Sequence, residues 1–437
     1  MSASDSKVIE RDASPASAAG DVDGRQVRFA LPWFNESDIA RVAETIRSGW
    51  VMQGQRVAEF EDVFAKTVGA PAATATSSCT TAMHVTLLTF GVEPGDVVLT
   101  VSHSFIASAN VVRFCGAEPI FVDIDPVSLN MSPAALKRCL EDDFERRDGA
   151  FWYGELDRLA RPPSPLARIA EPRGRLAAVL VPHQAGMPAD LPRIMAIADA
   201  YGIPVLEDAA CALGSQIMAP NLGCAVPIGY PLGRAACFSM HPRKVISTGE
   251  GGMITSADSA LMASVRVLRQ HGMDRSTAER HDDAALNAES YPVLGYNYRL
   301  TDIQAALGIG QLQRLDEIIA RRRAIAERYR AGLGHLKTVT LPQDPPFGKT
   351  NYQSYVIRVD GAGKAQELMQ GLQRRGIATR FGIMCSHLEA PYGQQWARGS
   401  LPESERAHEE SLILPLFTQM TDADVDYVII NAAKLLA

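Results

Sequence analysis

Between about residue 28 and residue 300, short β-branched runs alternate with helical patterns, and this alternation limits the possible folds more than any other feature. The runs that predict strands cover residues 97–101, 119–124, 177–181, 203–207, 236–240 and 253–255. Helical stretches separate most of them, an order typical of a largely parallel sheet covered on both faces. The sequence therefore predicts an α/β fold with a mostly parallel central sheet and helices on both faces.

The sequence also predicts more than one lobe. With 437 residues, 46% of them hydrophobic, the chain can bury a large core. An amphipathic helix is expected over residues 38–48, with Ile39, Val42, Ala43 and Ile46 on one face.

Near residue 300 the pattern changes, and a smaller C-terminal lobe is expected beyond it. A long helix over about 301–333 would bridge to a lobe with a strand at 355–359, a helix at 364–375 and a closing helix at about 422–436. We therefore expect a large domain at 26–300, followed by the bridging helix and a small α+β domain at 301–437.

Residues 142–175 interrupt the compact strand–helix alternation. They carry seven arginines, four prolines and the aromatic triplet Phe151, Trp152 and Tyr153. A connection of this length is either a functional flap or a surface or subunit-contact insertion, and the second interpretation is favoured.

Composition excludes several classes of protein. The net charge of −7, with no basic run to override it, argues against nucleic-acid binding. Seven cysteines without a CxxC pair favour reduced thiols in the cytoplasm over a disulfide framework or a zinc site, so no metal is expected. No apolar run approaches the ~18 residues of a membrane span. The first ~25 residues lack the apolar core of a signal peptide and are expected to form a disordered leader.

Lys244 is the strongest candidate for a catalytic residue. It follows a hydroxyl-bearing strand end at Ser239, precedes a Gly-rich turn and has apolar neighbours. Because burial disfavours the ammonium form, such an amine is more easily deprotonated and can attack an aldehyde, as a Schiff-base lysine does.

Asp208 follows the apolar run at 203–207 and is the second catalytic candidate. The carboxyl end of a parallel strand is where an α/β sheet places its ligand contacts. A lysine for an aldehyde and an aspartate for a pyridinium nitrogen are the two groups that pyridoxal 5′-phosphate (PLP) needs from its protein.

Five separated stretches, in the same order, give the chain a family resemblance. They are SSCTTAM at 77–83, SHSFIASAN at 102–110, EDAAC at 207–211, FSMHPRKVISTGEGGM at 238–253 and GYNYRLTDIQAA at 295–306. The chain resembles the DegT/DnrJ/EryC1/StrS group of PLP-dependent sugar aminotransferases, of fold type I (aspartate aminotransferase-like). The likeness runs from about residue 28 to the C-terminus, interrupted by residues 142–175.

The resemblance implies a phosphate site at Ser78, Cys79 and Thr80, with Cys79 in place of the family's glycine. A hydroxyl-rich junction between a strand and a helix suits that role, because unpaired N–H groups and the helix dipole attract a phosphate. Ser239 matches a second phosphate-binding hydroxyl of the family. Phe105 matches the aromatic residue that stacks on the cofactor ring.

The resemblance also implies roles around the reactive part of the cofactor. Asp208 matches the partner of the pyridinium nitrogen, and Lys244 matches the Schiff-base lysine that then moves a proton. Cys211 stands where the family often has Gln or His bonded to the phenolic oxygen. Asn297 matches an asparagine that crosses to the partner's cofactor phosphate, which implies a homodimer with shared active sites.

His183, Arg380 and His387 are candidates for substrate binding. His183 ends a strand beside the expected site, and Arg380 and His387 occupy a region of the small lobe that faces the substrate in relatives. The function implied is transfer of an amino group from an amino acid, glutamate or glutamine, to a keto sugar, with nucleotide-linked sugars as the family's commonest acceptors.

Several alternatives stay open. The acceptor could instead be a cyclitol such as a keto-inositol. A PLP-dependent sugar dehydratase of the same fold would carry histidine at the position of Lys244, and a silent scaffold would have lost Lys244 or Asp208. A nicotinamide dehydrogenase would need a G-x-G-x-x-G motif after the first strand, which is not found.

Overall fold

The structure is a computed structural model that describes residues 24–274 and 290–436. The disordered leader expected at residues 1–25 lies outside the described residues, except for its last two positions. The expected domain boundary near residue 300 stays a prediction.

A seven-stranded sheet forms the centre of the fold. In spatial order its strands are β1 (Ala72–Thr76), β11 (Gly252–Ser256), β10 (Ala235–Ser239), β7 (Val205–Asp208), β6 (Leu176–Pro182), β2 (Val97–Val101) and β3 (Glu118–Val122). β11 runs antiparallel to both of its neighbours, and the pairs from β10 to β3 are parallel. The predicted α/β class and mostly parallel sheet are confirmed.

The sheet is buried on both faces, as its apolar runs predicted. All five residues of β2 are buried. Val97, Leu99 and Val101 belong to one apolar cluster, whereas Val98 belongs to the cluster on the opposite face. Successive side chains of a strand point to opposite faces, so a strand covered on both sides is mostly apolar, and in β2 Thr100 is the one polar residue.

Helices cover the sheet and continue into the C-terminal part. In the described residues they are α1 (Glu36–Arg47), α2 (Gln55–Val68), α3 (Cys79–Thr89), α4 (Ala107–Phe114), α5 (Pro133–Asp142), α6 (Leu156–Leu159), α7 (Leu191–Tyr201), α8 (Ser259–Leu268), α9 (Asp302–Leu312), α10 (Leu315–Leu333), α11 (Lys364–Gln373), α12 (Pro402–Glu410) and α13 (Asp422–Leu436).

The long bridging helix expected over 301–333 is divided into α9 and α10, so that part of the prediction is wrong. The division falls at Arg314, whose backbone leaves the helical conformation with φ −110° and ψ 11°. The guanidinium of Arg314 contacts the carboxylate of Asp38 and lies 4.6 Å from the ring centroid of Trp33. These two contacts with N-terminal residues hold the chain at the point where the helix is interrupted.

The N-terminal helix forms where predicted, but its apolar stripe does not face the core of the chain. Ile39 and Ile46 are 56% and 55% exposed, while Asp38 and Thr45 are buried. The face of α1 that carries Asp38 is buried instead of the apolar stripe. The carboxylate of Asp38 binds Arg314, and this contact directs that face toward α9.

A four-stranded antiparallel sheet forms the smaller layer. In spatial order it contains β12 (Val339–Thr340), β14 (Tyr355–Val359), β16 (Ser411–Leu414) and β15 (Arg380–Phe381). An apolar cluster of its own lies between this sheet, α10 and α13. The predicted strand at 355–359 and the two predicted C-terminal helices are observed here.

Residues 142–175 fold as part of the large core. They contain a hairpin of β4 (Phe144–Arg147) and β5 (Ala150–Tyr153), followed by α6. Leu159 and Leu166 are fully buried in the main apolar cluster, and the guanidinium of Arg158 lies 4.4 Å from the ring centroid of Trp396. The segment therefore packs firmly, while its use as a flap or a subunit contact stays open.

A three-stranded sheet completes the fold, with β8 (Gln216–Ala219) between β9 (Cys224–Pro227) and β13 (Gly348–Lys349).

In the part of the chain that the structure describes, no helix is both long enough and apolar enough to cross a membrane. All seven cysteines are free thiols.

Candidate active site

Asp208 ends β7, and its carboxylate is held in place by local donors. The side chain is 8% exposed. Oδ2 accepts a hydrogen bond of 2.8 Å from Ser108 Oγ, and Oδ1 accepts one of 3.1 Å from the backbone N–H of Ala210. Two donors from different elements fix the direction of this carboxylate at the carboxyl edge of the sheet.

Lys244 follows β10, the parallel neighbour of β7, and therefore lies at the same edge of the sheet. Its Nζ donates a 3.0 Å hydrogen bond to Cys211 Sγ. Burial lowers the pKa of Lys244, but the hydrogen bond and charge of Cys211 and the charge of Asp208 outweigh burial, and the pKa is raised. The expectation that burial makes this amine easier to deprotonate is wrong without the cofactor, because the sulfur and the carboxylate stabilise the ammonium form.

Ser78 caps helix α3 beside the same edge. Its Oγ accepts a hydrogen bond from Thr81 N, and Thr81 Oγ1 accepts one from Ser78 N, which makes a capping box. The backbone N–H groups of Cys79 and Thr80, at the positive end of the helix dipole, have no acceptor among the described residues. This turn can therefore hold an anion.

The side chain of Cys79 is buried and turns inward, away from that anion position. Its Sγ lies 3.5 Å from the carbonyl oxygen of Cys237 and 4.0 Å from Asp208 Oδ1. Burial, reinforced by the charge of Asp208, raises the pKa of Cys79 well above its ordinary value. Any contact of Cys79 with a phosphate would come from its backbone N–H.

Close backbone approach also shapes this turn. A Cβ on Gly252 would lie 2.2 Å from the carbonyl oxygen of Ser78 and 2.5 Å from Thr76 Oγ1. Only glycine allows β11 to pass so near the capping residue.

Phe105 and Ser239 lie at the edges of the site. The Phe105 side chain is 65% exposed, although its neighbour Ser104 is buried. A large aromatic ring left open beside buried polar groups can stack on a flat ligand. Ser239 ends β10 and is half-buried, with Oγ accepting a 3.4 Å hydrogen bond from His241 N.

Asn297 is exposed and does not join the contacts of Asp208 and Lys244 in this chain. Its backbone pairs with Gln270 in an isolated bridge. The neighbouring residue Tyr298 accepts a 2.8 Å hydrogen bond from Ser77 N through its carbonyl oxygen. Asn297 therefore lies at the surface close to the turn at Ser78.

Two of the three candidates for substrate binding are buried with their ring nitrogens engaged. His183 accepts a hydrogen bond from Ala189 N at Nδ1 and lies 3.1 Å from Glu207 Oε2 through Nε2. His387 lies 2.6 Å from Ser102 Oγ and 3.0 Å from Glu405 Oε1. Burial lowers the pKa of His387, and Glu405 opposes that shift.

Arg380, the third candidate, remains accessible. It is exposed on β15, makes no ion pair with any described carboxylate, and its guanidinium lies 5.5 Å from the ring centroid of Phe29. Of the three candidates, Arg380 is the one whose charged group is free to meet a ligand.

Sequence reasoning missed the serines that support Asp208. Ser108 is 1% exposed and Ser104 is 3% exposed, and their hydroxyl oxygens lie 2.9 Å apart. Ser104 precedes α4 and Ser108 lies in its first turn, so their contact forms where the chain enters the helix, and no periodic pattern in the sequence pointed to it.

The chain matches the DegT/DnrJ/EryC1/StrS aminotransferase family over residues 33–432. It belongs to that family. Members of this family, and therefore this chain, are PLP-dependent aminotransferases.

Solved structures agree with this assignment. The aminotransferase TlmJ from Streptoalloteichus hindustanus is 31% identical, with a TM-score of 0.76 over 94% of this chain and 99% of that one. A DegT DnrJ EryC1 StrS aminotransferase from Brucella abortus is 28% identical, with a TM-score of 0.75 over 91% of this chain and 95% of that one.

A more distant structure shows the fold alone. PseC from Helicobacter pylori, an aminotransferase involved in the biosynthesis of pseudoaminic acid, is 21% identical, with a TM-score of 0.77 over 94% of this chain and 99% of that one.

The residues at the carboxyl edge of the sheet fit PLP. The anion turn at Ser78, the exposed ring of Phe105, the fixed carboxylate of Asp208 and the amine of Lys244 supply one group for each part of that cofactor.

Proposed function

We propose that this aminotransferase moves an amino group from glutamate or glutamine to a keto sugar, in particular a nucleotide-linked one. One observation carries the proposal: the carboxylate of Asp208 and the amine of Lys244 follow adjacent parallel strands and meet at one edge of the sheet. The family supports the sugar as acceptor.

Each predicted residue has a role in that proposal. When bound, PLP supplies an aldehyde for amines and a pyridine ring that withdraws electrons. Asp208 keeps the ring nitrogen protonated through an ion pair, and Lys244 holds the aldehyde carbon and moves the proton at the donor's Cα. Cys211, at 3.0 Å from Lys244 Nζ, lies beside the phenolic oxygen.

The phosphate and the ring face have their own residues. The backbone N–H groups of Cys79 and Thr80, with the hydroxyls of Ser78 and Ser239, hold the phosphate. Phe105 covers one face of the ring and excludes water from it. Arg380 is the substrate contact that the exposed surface allows, and His183 and His387, whose rings are buried, are the two further candidates.

A homodimer with shared sites is part of the proposal. Tyr291, Val293 and Leu294, which precede Asn297, are 54%, 47% and 86% exposed. Ile39 and Ile46 add a second apolar surface. A second copy of the chain would cover such residues and bring Asn297 to the partner's phosphate turn.

The free thiols support a reducing compartment, and we propose the cytoplasm as the location.

Borohydride trapping tests the mechanism. The protein with PLP should absorb as a Schiff base, and reduction should attach the cofactor irreversibly to Lys244, as peptide mass spectrometry would show. The Lys244→Ala variant should take up no covalent label and should lose turnover. Labelling at another lysine, or unchanged turnover in the variant, would contradict the assignment.

Substrate identity needs a separate readout. The purified enzyme should convert its cofactor to the amino form with glutamate or glutamine, and a nucleotide-linked keto sugar should restore the aldehyde form. Restoration by a keto-inositol and by no keto sugar would replace the proposed acceptor with a cyclitol.

A further inference from the structure

A small cavity lies between the loops at the carboxyl edge of the central sheet and the four-stranded sheet. Its volume is about 40 Å³, and its lining includes Leu129 and Ala185 on one side and Tyr352, Ser354 and Arg358 on the other. A water needs roughly 10–15 Å³ by this measure. The cavity therefore has room for a group the size of a carboxylate or a phosphate.

Arg358 supplies a cation in the cavity wall that no protein group neutralises. It lies on β14 and is half-buried. Its guanidinium makes no hydrogen bond or ion pair with another residue of the described ranges. An oxyanion is the ligand that matches the donors of such a guanidinium.

Helix α10, which contacts the loop at Tyr352, carries further positive charge. Arg322 is 4% exposed, and its Nη1 donates to the backbone carbonyls of Tyr352, Gln353 and Leu416 at 3.1, 3.2 and 3.4 Å. Burial lowers the pKa of Arg322 to about 10. No described carboxylate forms an ion pair with this guanidinium, so its charge is compensated only by dipoles.

Arg323 is a second positive charge on α10 near the cavity. Its Nε donates a 3.1 Å hydrogen bond to the carbonyl of Thr350, and its buried Nη2 has no described partner. Burial lowers the pKa of Arg323, and the charge of Asp344 opposes that shift, although the two side chains form no ion pair. Nearby Glu327 is paired with Arg330 at 3.1 Å. Asp125 and Asp344 lie behind the lining, where they accept hydrogen bonds from the backbone N–H groups of Ser128 and Thr350. No carboxylate is among the residues that line the cavity, so Arg358 is the charged group of its wall, and this favours an anion there.

The backbone around the cavity is strained. Of the five described non-glycine residues with positive φ, three line this cavity: Leu129 at 59°, Ala185 at 55° and Tyr352 at 50°. Such conformations are unfavourable for residues with a side chain, and they cluster at ligand sites.

We propose that this cavity binds a small oxyanion, a carboxylate or phosphate group, with Arg358 as its main ligand. The site is separate from the turn at Ser78 that we assign to the cofactor phosphate. The bound anion would join the two walls, which already meet where Ser354 N donates to the carbonyl of Ala185 at 3.2 Å.

An anion bound in this cavity would also be connected to the segment that carries Lys244. Gln353 precedes the cavity residue Ser354, and its Nε2 donates a 2.9 Å hydrogen bond to the carbonyl of Arg243. The cavity residue Ser354 is therefore connected to the proposed catalytic lysine through its neighbour Gln353, one hydrogen bond and Arg243, the residue before Lys244.

Calorimetric titration of the full chain saturated with PLP tests the site, since the cofactor then fills its own phosphate position. Inorganic phosphate and acetate are titrated separately at constant ionic strength. We expect one of them to bind, and we expect R358Q to raise its Kd at least about tenfold. R374Q, which alters an exposed arginine, should leave the Kd unchanged.

The anion that binds distinguishes the two kinds of natural ligand. Binding of phosphate indicates a phosphorylated ligand, and binding of acetate indicates a carboxylic acid. No binding of either anion, or equal Kd values in wild type and R358Q, would overturn the proposal. If R358Q does not fold, A185L decides, since its larger side chain should fill the cavity and weaken binding with Arg358 intact. The titration involves no turnover, so its outcome is independent of the proposed amino transfer.

Discussion

The behaviour of Lys244 depends on its neighbours more than on burial itself. Burial alone would lower the pKa of the amine. The sulfur of Cys211 at 3.0 Å and the charge of Asp208 reverse that direction. The ammonium form is therefore stabilised until the site contains its cofactor.

Removing the sulfur should expose the effect of burial. In Cys211→Ala without PLP, the hydrogen bond and the charge of the sulfur are lost, so the pKa of Lys244 should fall. The neutral amine reacts with an aldehyde, and the midpoint of its pH–rate profile should therefore move to lower pH. Stopped-flow measurement of pyridoxal binding to Lys244 reports this midpoint.

Cys224→Ala is the matched control, because Cys224 is exposed and has no contact with Lys244. A midpoint that stays in place or rises in Cys211→Ala would show that Cys211 does not stabilise the ammonium form.

At the scale of elements, α9 depends on glycine to pack against its neighbours. A Cβ on Gly308 would lie 2.5 Å from Phe60 Cζ, and one on Gly310 would lie 2.2 Å from Asp38 Oδ1. The close approach of α9 to α1 and α2 therefore requires the absence of side chains at these positions.

Gly308→Ala should destabilise the protein despite alanine's better helix propensity. Alanine gains about 1 kcal/mol in a helix, but overpacking against the buried ring of Phe60 costs about 1–3 kcal/mol. We expect a lower free energy of unfolding, by up to about 2 kcal/mol, in denaturant titration.

A double variant isolates the contact between these two residues. In a Phe60→Leu background the ring is gone, so Gly308→Ala should cost less there than in the wild type. Equal costs in the two backgrounds would mean that Phe60 does not limit the approach of α9.

At the scale of the whole molecule, the exposed apolar residues argue for an assembly. Leu294 is 86% exposed and lies three residues before Asn297. The apolar face of α1 with Ile39 and Ile46 is also uncovered in the single chain. We expect both surfaces to be covered by a second copy.

Subunit exchange between two inactive variants should restore activity if the site is shared. Lys244→Ala removes the amine, and Asn297→Asp should repel the cofactor phosphate. In a mixed dimer, one site would combine an intact Lys244 with the partner's intact Asn297, so up to about half of the sites in that dimer should work. Transaminase assays before and after mixing measure the recovery.

Exchange itself must be verified, for example with differently tagged subunits. Verified exchange without recovery of activity, or an active species that sediments as a monomer, would contradict the shared site.

The fold was largely predictable because its signals are local. Strands such as β2 and β14 formed with the predicted bounds, since both are short runs rich in β-branched and aromatic residues. β1 is absent from the strands predicted by β-branched runs, because its residues 72–76 contain only alanine and threonine. Its strand conformation depends on pairing with β11, which is distant in sequence.

The candidate site was predictable only in part. The sequence identified Asp208, Lys244 and the turn at Ser78 by residue type and order, and the structure brings these residues to one edge of the sheet. It also turns the rings of His183 and His387 into the protein, which no local pattern could reveal. Their role as substrate ligands stays a prediction.

By itself, the sequence determined the class of fold and the family, because periodicity and ordered motifs are properties of neighbouring residues along the chain. Tertiary structure alone decided which groups meet. The contact of Lys244 with Cys211, the support of Asp208 by Ser108 and the unpaired charge of Arg358 each depend on residues far apart in sequence. Hydrogen bonds and charges act over a few ångströms in space, so their consequences follow from the packed chain.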